Sequence, residues 1–204
     1  MTDGSPRRIV VGMSGSSGAI FGIRLLEVLS RVPELETHLV MSTAAAQTIA
    51  LETDYKPRDV EALATRSYKI GDIAASLSSG SFRTDGMIVV PCSMKSVAAI
   101  AYGYDENLLS RAADVTLKER RRLIVCPRET PLHLGHLRAL TQLAEIGAIV
   151  APLMPAFYGR PSSIDDLVDH QVGRLLDLIG VNVEGLAFRW QGAKSASPEA
   201  KADD

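Results

Sequence analysis

Five apolar runs in this chain end directly in hydroxyls or charges. Gly12-Met13-Ser14-Gly15-Ser16-Ser17-Gly18 closes the β-branched run that begins at Ile9, and Ser42 follows Thr37 to Met41. Pro91-Cys92-Ser93-Met94-Lys95-Ser96 follows Met87 to Val90, Pro127-Arg128-Glu129 follows Leu123 to Cys126, and Pro155-Ala156-Phe157-Tyr158 follows Ala148 to Leu153. Small residues and hydroxyls that lead into a helix present unpaired backbone N–H groups to an anion, so the first loop reads as a cradle for a phosphate or a flavin edge. The alternative is a tight strand-to-helix turn. Glycines at 12, 15 and 18 miss the G-x-G-x-x-G spacing, and Ser42 stands where an acid would hold a ribose diol. No Lys-Ser/Thr pair follows the glycines, which excludes a Walker loop.

Arg111, Lys118, Arg128 and Arg174 are candidate phosphate ligands, with a solvated surface charge as the ordinary reading of each. Arg128 stands apart, because it follows a buried strand between Pro127 and Glu129, where an ion pair is expensive. Asp165-Asp166-x-x-Asp169 spells an aspartate-rich magnesium motif, but Ser163 with Asp166 reads better as a helix cap, and no metal is assigned. His133 and His136 lack a Cys or Glu at ligand spacing and read as surface or loop histidines. Cys92 and Cys126 read as small core residues.

The elements that must position these groups alternate. Continuous apolar runs mark strands buried on both faces, at Ile9 to Met13, Thr37 to Met41, Met87 to Val90, Leu123 to Cys126 and Ala148 to Leu153. Helical patterns lie between them: Ala19 to Leu29, Thr43 to Leu51, Ser93 to Ala101, Leu108 to Arg120 and Leu134 to Ile146. A last amphipathic helix spans Ser163 to Ile179, and residues 52–82 are less regular, with a helical piece near Val60 to Leu63. Five such alternations predict an α/β fold: a single-domain, doubly wound, Rossmann-like, mostly parallel sheet over residues 1–190, with a solvated tail at 191–204. Ligands of such a sheet bind beyond the carboxyl ends of its strands, where the five polar loops converge.

Composition narrows the classes further. The 204 residues carry 22 basic and 24 acidic side chains, a net charge of −2 that gives no polyanion-binding surface and argues against nucleic acid. An aromatic share of 5% and 16 glycines suit tight α/β loops better than a β-sandwich or a base-stacking platform. Two distant cysteines and no apolar run of about 18 residues predict a cytoplasmic protein with no membrane association.

Taken in order, Gly12-Met-Ser-Gly-Ser-Ser-Gly18, Glu52-Thr-Asp54, Pro91-Cys-Ser-Met-Lys-Ser96, Arg111-Ala-Ala-Asp-Val115, Leu117-Lys-Glu-Arg120, Pro127-Arg-Glu129, Pro155-Ala-Phe-Tyr158 and Asp166-Leu-Val-Asp169 resemble the UbiX/Pad-type flavin prenyltransferases. The run Ser79 to Met87 is most similar to the B-type subgroup found with the phenolic-acid (hydroxyarylic acid) decarboxylases. The resemblance covers about residues 8–190. It implies metal-independent transfer of dimethylallyl from dimethylallyl phosphate to N5 and C6 of reduced FMN, making prenylated FMN for a UbiD-type decarboxylase. It also implies a homododecamer with sites shared between subunits. Carried onto this chain, it implies FMN contacts from Gly15, Ser16, Ser17, Ser42, Ser93, Met94, Lys95, Ser96 and Arg128. Arg111, Lys118, Glu129, Tyr158 and Arg174 would bind the donor, and Ser17, Glu52 and Glu129 would handle ionisation and protons. Two other readings remain: a non-catalytic FMN-carrying component of such a decarboxylase, and a flavin-dependent cysteine decarboxylase. The absence of a Pro-x-Met-Asn clamp tells against the latter.

Overall fold

A run of β-branched residues flanked by glycine and proline finds both faces covered only inside a parallel sheet. In the computed structural model, which describes residues 6–192, the chain runs β1 (Arg7–Met13), α1 (Ala19–Leu29), β2 (Leu35–Met41), α2 (Thr43–Glu52), α3 (Pro57–Leu63) and β3 (Arg66–Tyr68). It continues through β4 (Gly86–Cys92), α4 (Met94–Ala101), α5 (Leu108–Lys118), β5 (Arg122–Pro127), α6 (Leu134–Glu145), β6 (Ile149–Val150) and α7 (Ile164–Ile179). The six strands are all parallel, in the order β3-β2-β1-β4-β5-β6. The expected doubly wound sheet is therefore present, and its strand order reverses between β1 and β4.

The period-two alternation of each strand divides the core. Ile9, Val11, Leu39, Ile88, Val90 and Ile124 pack with α1 and α7 on one face. Val10, Val40, Met87, Val89, Leu123 and Val125 pack with α4, α5 and α6 on the other. Burying each such aliphatic side chain stabilises the fold by about 1.5–3 kcal/mol. Two thiols, Cys92 and Cys126, are free and fully buried, as core residues.

Two strand assignments need correction. β3 has no apolar alternation and pairs only with β2, so it lay unmarked within the irregular stretch. The last strand keeps only Ile149 and Val150 of the expected Ala148 to Leu153, although the Ala151 and Leu153 N–H groups still reach Val125 O and Pro127 O at 2.8 and 3.4 Å. α5 also stops two residues short, where Glu119 caps it and Arg120 turns left-handed at φ 55°. The expected tail beyond Gly192 lies outside the described residues.

Candidate functional site

The β1–β4 ladder ends at the Gly12–Val89 pair, and past it the two chains separate. Ser14 bridges the gap. Its hydroxyl donates to the Pro91 carbonyl at 3.1 Å and accepts from the Ser93 N–H at 2.7 Å, while its own N–H donates to Pro91 O at 3.1 Å. A cavity of about 520 Å³ opens there, lined by Ser14, Gly15, Ser42, Thr43, Ser93, Lys95, Ser96 and the Glu106 to Ser110 turn.

Each helix that starts beside this cavity has a capped end. Ser42 Oγ accepts from Ala45 N at 3.0 Å to start α2, and Ser93 Oγ accepts from Ser96 N at 3.4 Å to start α4. Asn107 Oδ1 accepts from Leu109 N and Ser110 N at 3.0 and 3.2 Å to start α5. Three positive helix ends therefore border one cavity, which suits a phosphate group. Lys95 adds a cation at the rim, 3.5 Å from Glu106. The Asn107 contribution went unread in the sequence, although an Asn immediately before an apolar helical run is a recognisable cap.

The first loop is held from an unexpected direction. α1 begins at Gly18, left-handed at φ 96°, with no side-chain cap of its own. Glu52, the last residue of α2, supplies the missing acceptor: a single oxygen, Oε2, takes the Gly18 and Ala19 N–H groups at 2.8 and 3.2 Å. Burial alone would push its carboxyl up. Hydrogen bonds from the Ser17 hydroxyl and from those two N–H groups, with the Arg128 cation nearby, outweigh that and hold it below the ordinary Glu range. Glu52 is thus an ionised acceptor with Ser17 bound to it. Ser16 Oγ is buried in the same loop with no hydrogen-bond partner among the described residues. Arg128 N–H donates to Cys92 O at 3.2 Å, keeping that strand end beside the β4 loop. Glu129 is exposed, and its Oε1 accepts from its neighbour Thr130 N at 3.1 Å.

Ser16, Ser17, Glu52, Met94, Arg128 and Glu129 are not among the residues that line the cavity, and neither are the remaining candidates. Tyr158 Oη lies 3.0 Å from His170 Nε2 on α7, and Arg174, one turn further along that helix, pairs with Asp177 at 2.8 Å. Burial and the Arg174 cation hold His170 below its usual value. The Arg111 guanidinium is paired, with Asp105 at 3.1 Å, Asp114 at 2.9 Å and the Ser78 carbonyl at 3.2 Å. Lys118 ends α5, roughly 16 Å from the capped end of that 11-residue helix, and pairs with Glu119 at 2.6 Å. It borders a second cavity of about 420 Å³ with Arg120 and Arg121.

The aspartate-rich motif is occupied by structure. Asp166 Oδ2 accepts from Ser162 N and Oγ, both at 2.7 Å, and from Ser163 N at 3.1 Å, forming the expected capping box. Asp169 makes a two-pronged contact with Arg24 at 2.6 and 3.2 Å. His133 caps α6 through Nδ1, which accepts from Gly135 N at 3.0 Å.

The sequence family described as Flavoprotein matches residues 2–176 of the chain. Flavin prenyltransferase UbiX of Escherichia coli (strain K12) is 57% identical over 188 residues, covering 92% of this chain and all of that one. The crystal structure of AnUbiX (PadA1) in complex with FMN and dimethylallyl pyrophosphate is similar at TM-score 0.89 and 54% identity, over 92% of this chain and 98% of that one. A dodecameric FMN-dependent UbiX-like decarboxylase from Escherichia coli O157:H7 matches at TM-score 0.88 and 52% identity, over 91% and 100%. Peptidyl-cysteine decarboxylase EpiD, at 15% identity and TM-score 0.59, over 85% and 98%, shares the fold alone.

Proposed function

The chain belongs to the flavoprotein family and, within it, to the UbiX-type flavin prenyltransferases, and on that premise we propose how its residues divide the work. It is a transferase that joins dimethylallyl to FMN. N5 of reduced FMN would displace phosphate from the allylic carbon and lose its proton; a proton added to the remaining alkene would then let C6 bond to the tertiary carbon, with loss of the C6 proton. The donor is dimethylallyl phosphate, and the product serves a UbiD-type decarboxylase in the cytoplasm.

One observation carries the site assignment: three helix N-termini and five serines, Ser14, Ser42, Ser93, Ser96 and Ser110, surround a single cavity at the crossover. The N–H groups that open α2, α4 and α5, with Ser42, Ser93 and Ser96, bind the FMN phosphate. Gly15, Ser16, Ser17, Met94, Lys95 and Arg128 fix the rest of the FMN, the Ser16 hydroxyl gaining there the partner it lacks among the described residues. Loss of phosphate from an allylic carbon needs positive charge and a proton at the departing oxygens. Tyr158, Arg174, Arg111 and Lys118 supply donors, and Glu129 the proton. Because Lys118 stands at the far end of α5, it serves the cavity of a neighbouring copy, so the site is complete only in a homo-oligomer, a dodecamer. Glu52, acting through the Ser17 hydroxyl, accepts the proton released from C6, with the freed phosphate as the alternative acceptor.

The test is anaerobic mixing of the protein with reduced FMN and dimethylallyl phosphate, with and without chelator. A flavin heavier by one five-carbon unit in both tubes supports transfer without a metal. An unchanged flavin would leave only FMN carriage.

A further inference from the structure

Among the groups beside Tyr158, one buried side chain has no part in the scheme above. His170 is 9% exposed, and both of its ring nitrogens are engaged. Nδ1 lies 3.2 Å from the backbone nitrogen of Phe188, and Nε2 lies 3.0 Å from Tyr158 Oη. The direction of each bond follows from chemistry. A backbone N–H can only donate, so Nδ1 must accept and carry no proton. The single proton of the neutral ring then sits on Nε2, which donates to the phenol oxygen. Burial and the nearby Arg174 cation favour that neutral form. The phenol oxygen, already accepting from His170, keeps its own O–H to give elsewhere.

The ring of Tyr158 is also fixed in place. It meets His170 edge-on at 5.3 Å and 83°, Phe188 at 5.8 Å and Trp190 at 6.1 Å, yet the residue remains 49% exposed. We infer that His170 is a positioning residue for prenyl transfer, orienting the Tyr158 hydroxyl as a donor toward the phosphate of dimethylallyl phosphate. The inference rests on the proposed contact between Tyr158 and that phosphate. Nothing in the spacing announced the pair, because Tyr158 lies in a loop and His170 on a helix face otherwise made of core residues.

The assembled, FMN-loaded protein and its His170→Phe, His170→Gln, Tyr158→Phe and His170→Phe/Tyr158→Phe variants test it, with KM for dimethylallyl phosphate, kcat and the FMN dissociation constant measured for each. Losing one oriented neutral hydrogen bond should raise the donor KM about five- to tenfold in His170→Phe while FMN affinity stays at the parent's. His170→Gln, whose amide N–H can still donate to Oη, should return KM to within about twofold of the parent. In the Tyr158→Phe background the second change should add nothing. A parental KM in His170→Phe, or an equal KM rise with and without the Tyr158 hydroxyl, overturns the role of His170. Should His170→Phe not fold, His170→Gln and His170→Asn replace it, since the shorter amide cannot span to Oη. Equal donor KM in that pair overturns the inference. If Tyr158→Phe alone leaves donor KM unchanged, it is the underlying contact that fails.

Discussion

Glu52 holds two duties that a pair of substitutions can pull apart. Both N–H groups it accepts converge on one oxygen, so the amide oxygen of Glu52→Gln can keep the start of α1 capped. What Gln loses is the charge beside a helix N-terminus, about 0.3–1 kcal/mol, toward the low end because the residue is exposed and screened. Glu52→Ala removes the acceptor as well, a cap loss of about 1 kcal/mol, or roughly 2–4 °C in Tm for a chain of this length. The proton-accepting role vanishes in both, so product formation should fall by about 100-fold or more in each. Thermal unfolding followed by circular dichroism, set beside anaerobic product formation, reads the two effects separately. The pH dependence has a definite sign. A carboxyl held below its unfolded value adds stability above about pH 4, lost as pH falls through the folded value, so the stability gap between parent and Glu52→Gln should close in acid. Full product formation by Glu52→Gln would pass the proton to the released phosphate. Equal loss of Tm in Gln and Ala would refute the shared-oxygen argument.

Removing the Ser42 hydroxyl in Ser42→Ala takes away the α2 cap and a cavity-lining donor together, so denaturant unfolding should report about 1 kcal/mol lost and flavin fluorescence titration a weaker FMN complex. Arg24→Met leaves Asp169 and Glu27 without their common half-buried partner, which should lower stability by about 1–3 kcal/mol in thermal melts without altering donor KM. Asp166→Ala should lower the thermal midpoint through the lost capping box at α7. Because that carboxylate serves the helix, neither the substitution nor a chelator should slow product formation, and a rate that fell in chelator and returned with magnesium would reinstate the metal reading.

How much of this was legible in the residues depended on range. Apolar runs that must be covered on both faces mark β1, β2, β4 and β5, and the rule that ligands gather at carboxyl ends then brings Gly15, Ser42, Ser93, Lys95 and Ser96 to one cavity. The three-residue β3 gave no such signal, since its side chains are mostly exposed and it depends on β2 alone. Glu52 could be named by resemblance, but its cap on α1 joins residues 34 apart in sequence, and no local pattern encodes it. The link from His170 to Tyr158 was hidden for the same reason. Lys118 and Arg111 look like phosphate ligands in the sequence, yet inside one chain each is paired with acids nearby, which no spacing of cations alone announces.

Ser14 sets the character of the pocket mouth. Its hydroxyl and amide fasten the two halves of the sheet together at the point where the strands stop pairing. Spreading the seam would break all three of those bonds at a residue only 2% exposed, where water cannot replace them. The mouth of the cavity is therefore held at one width by backbone groups and a single buried hydroxyl.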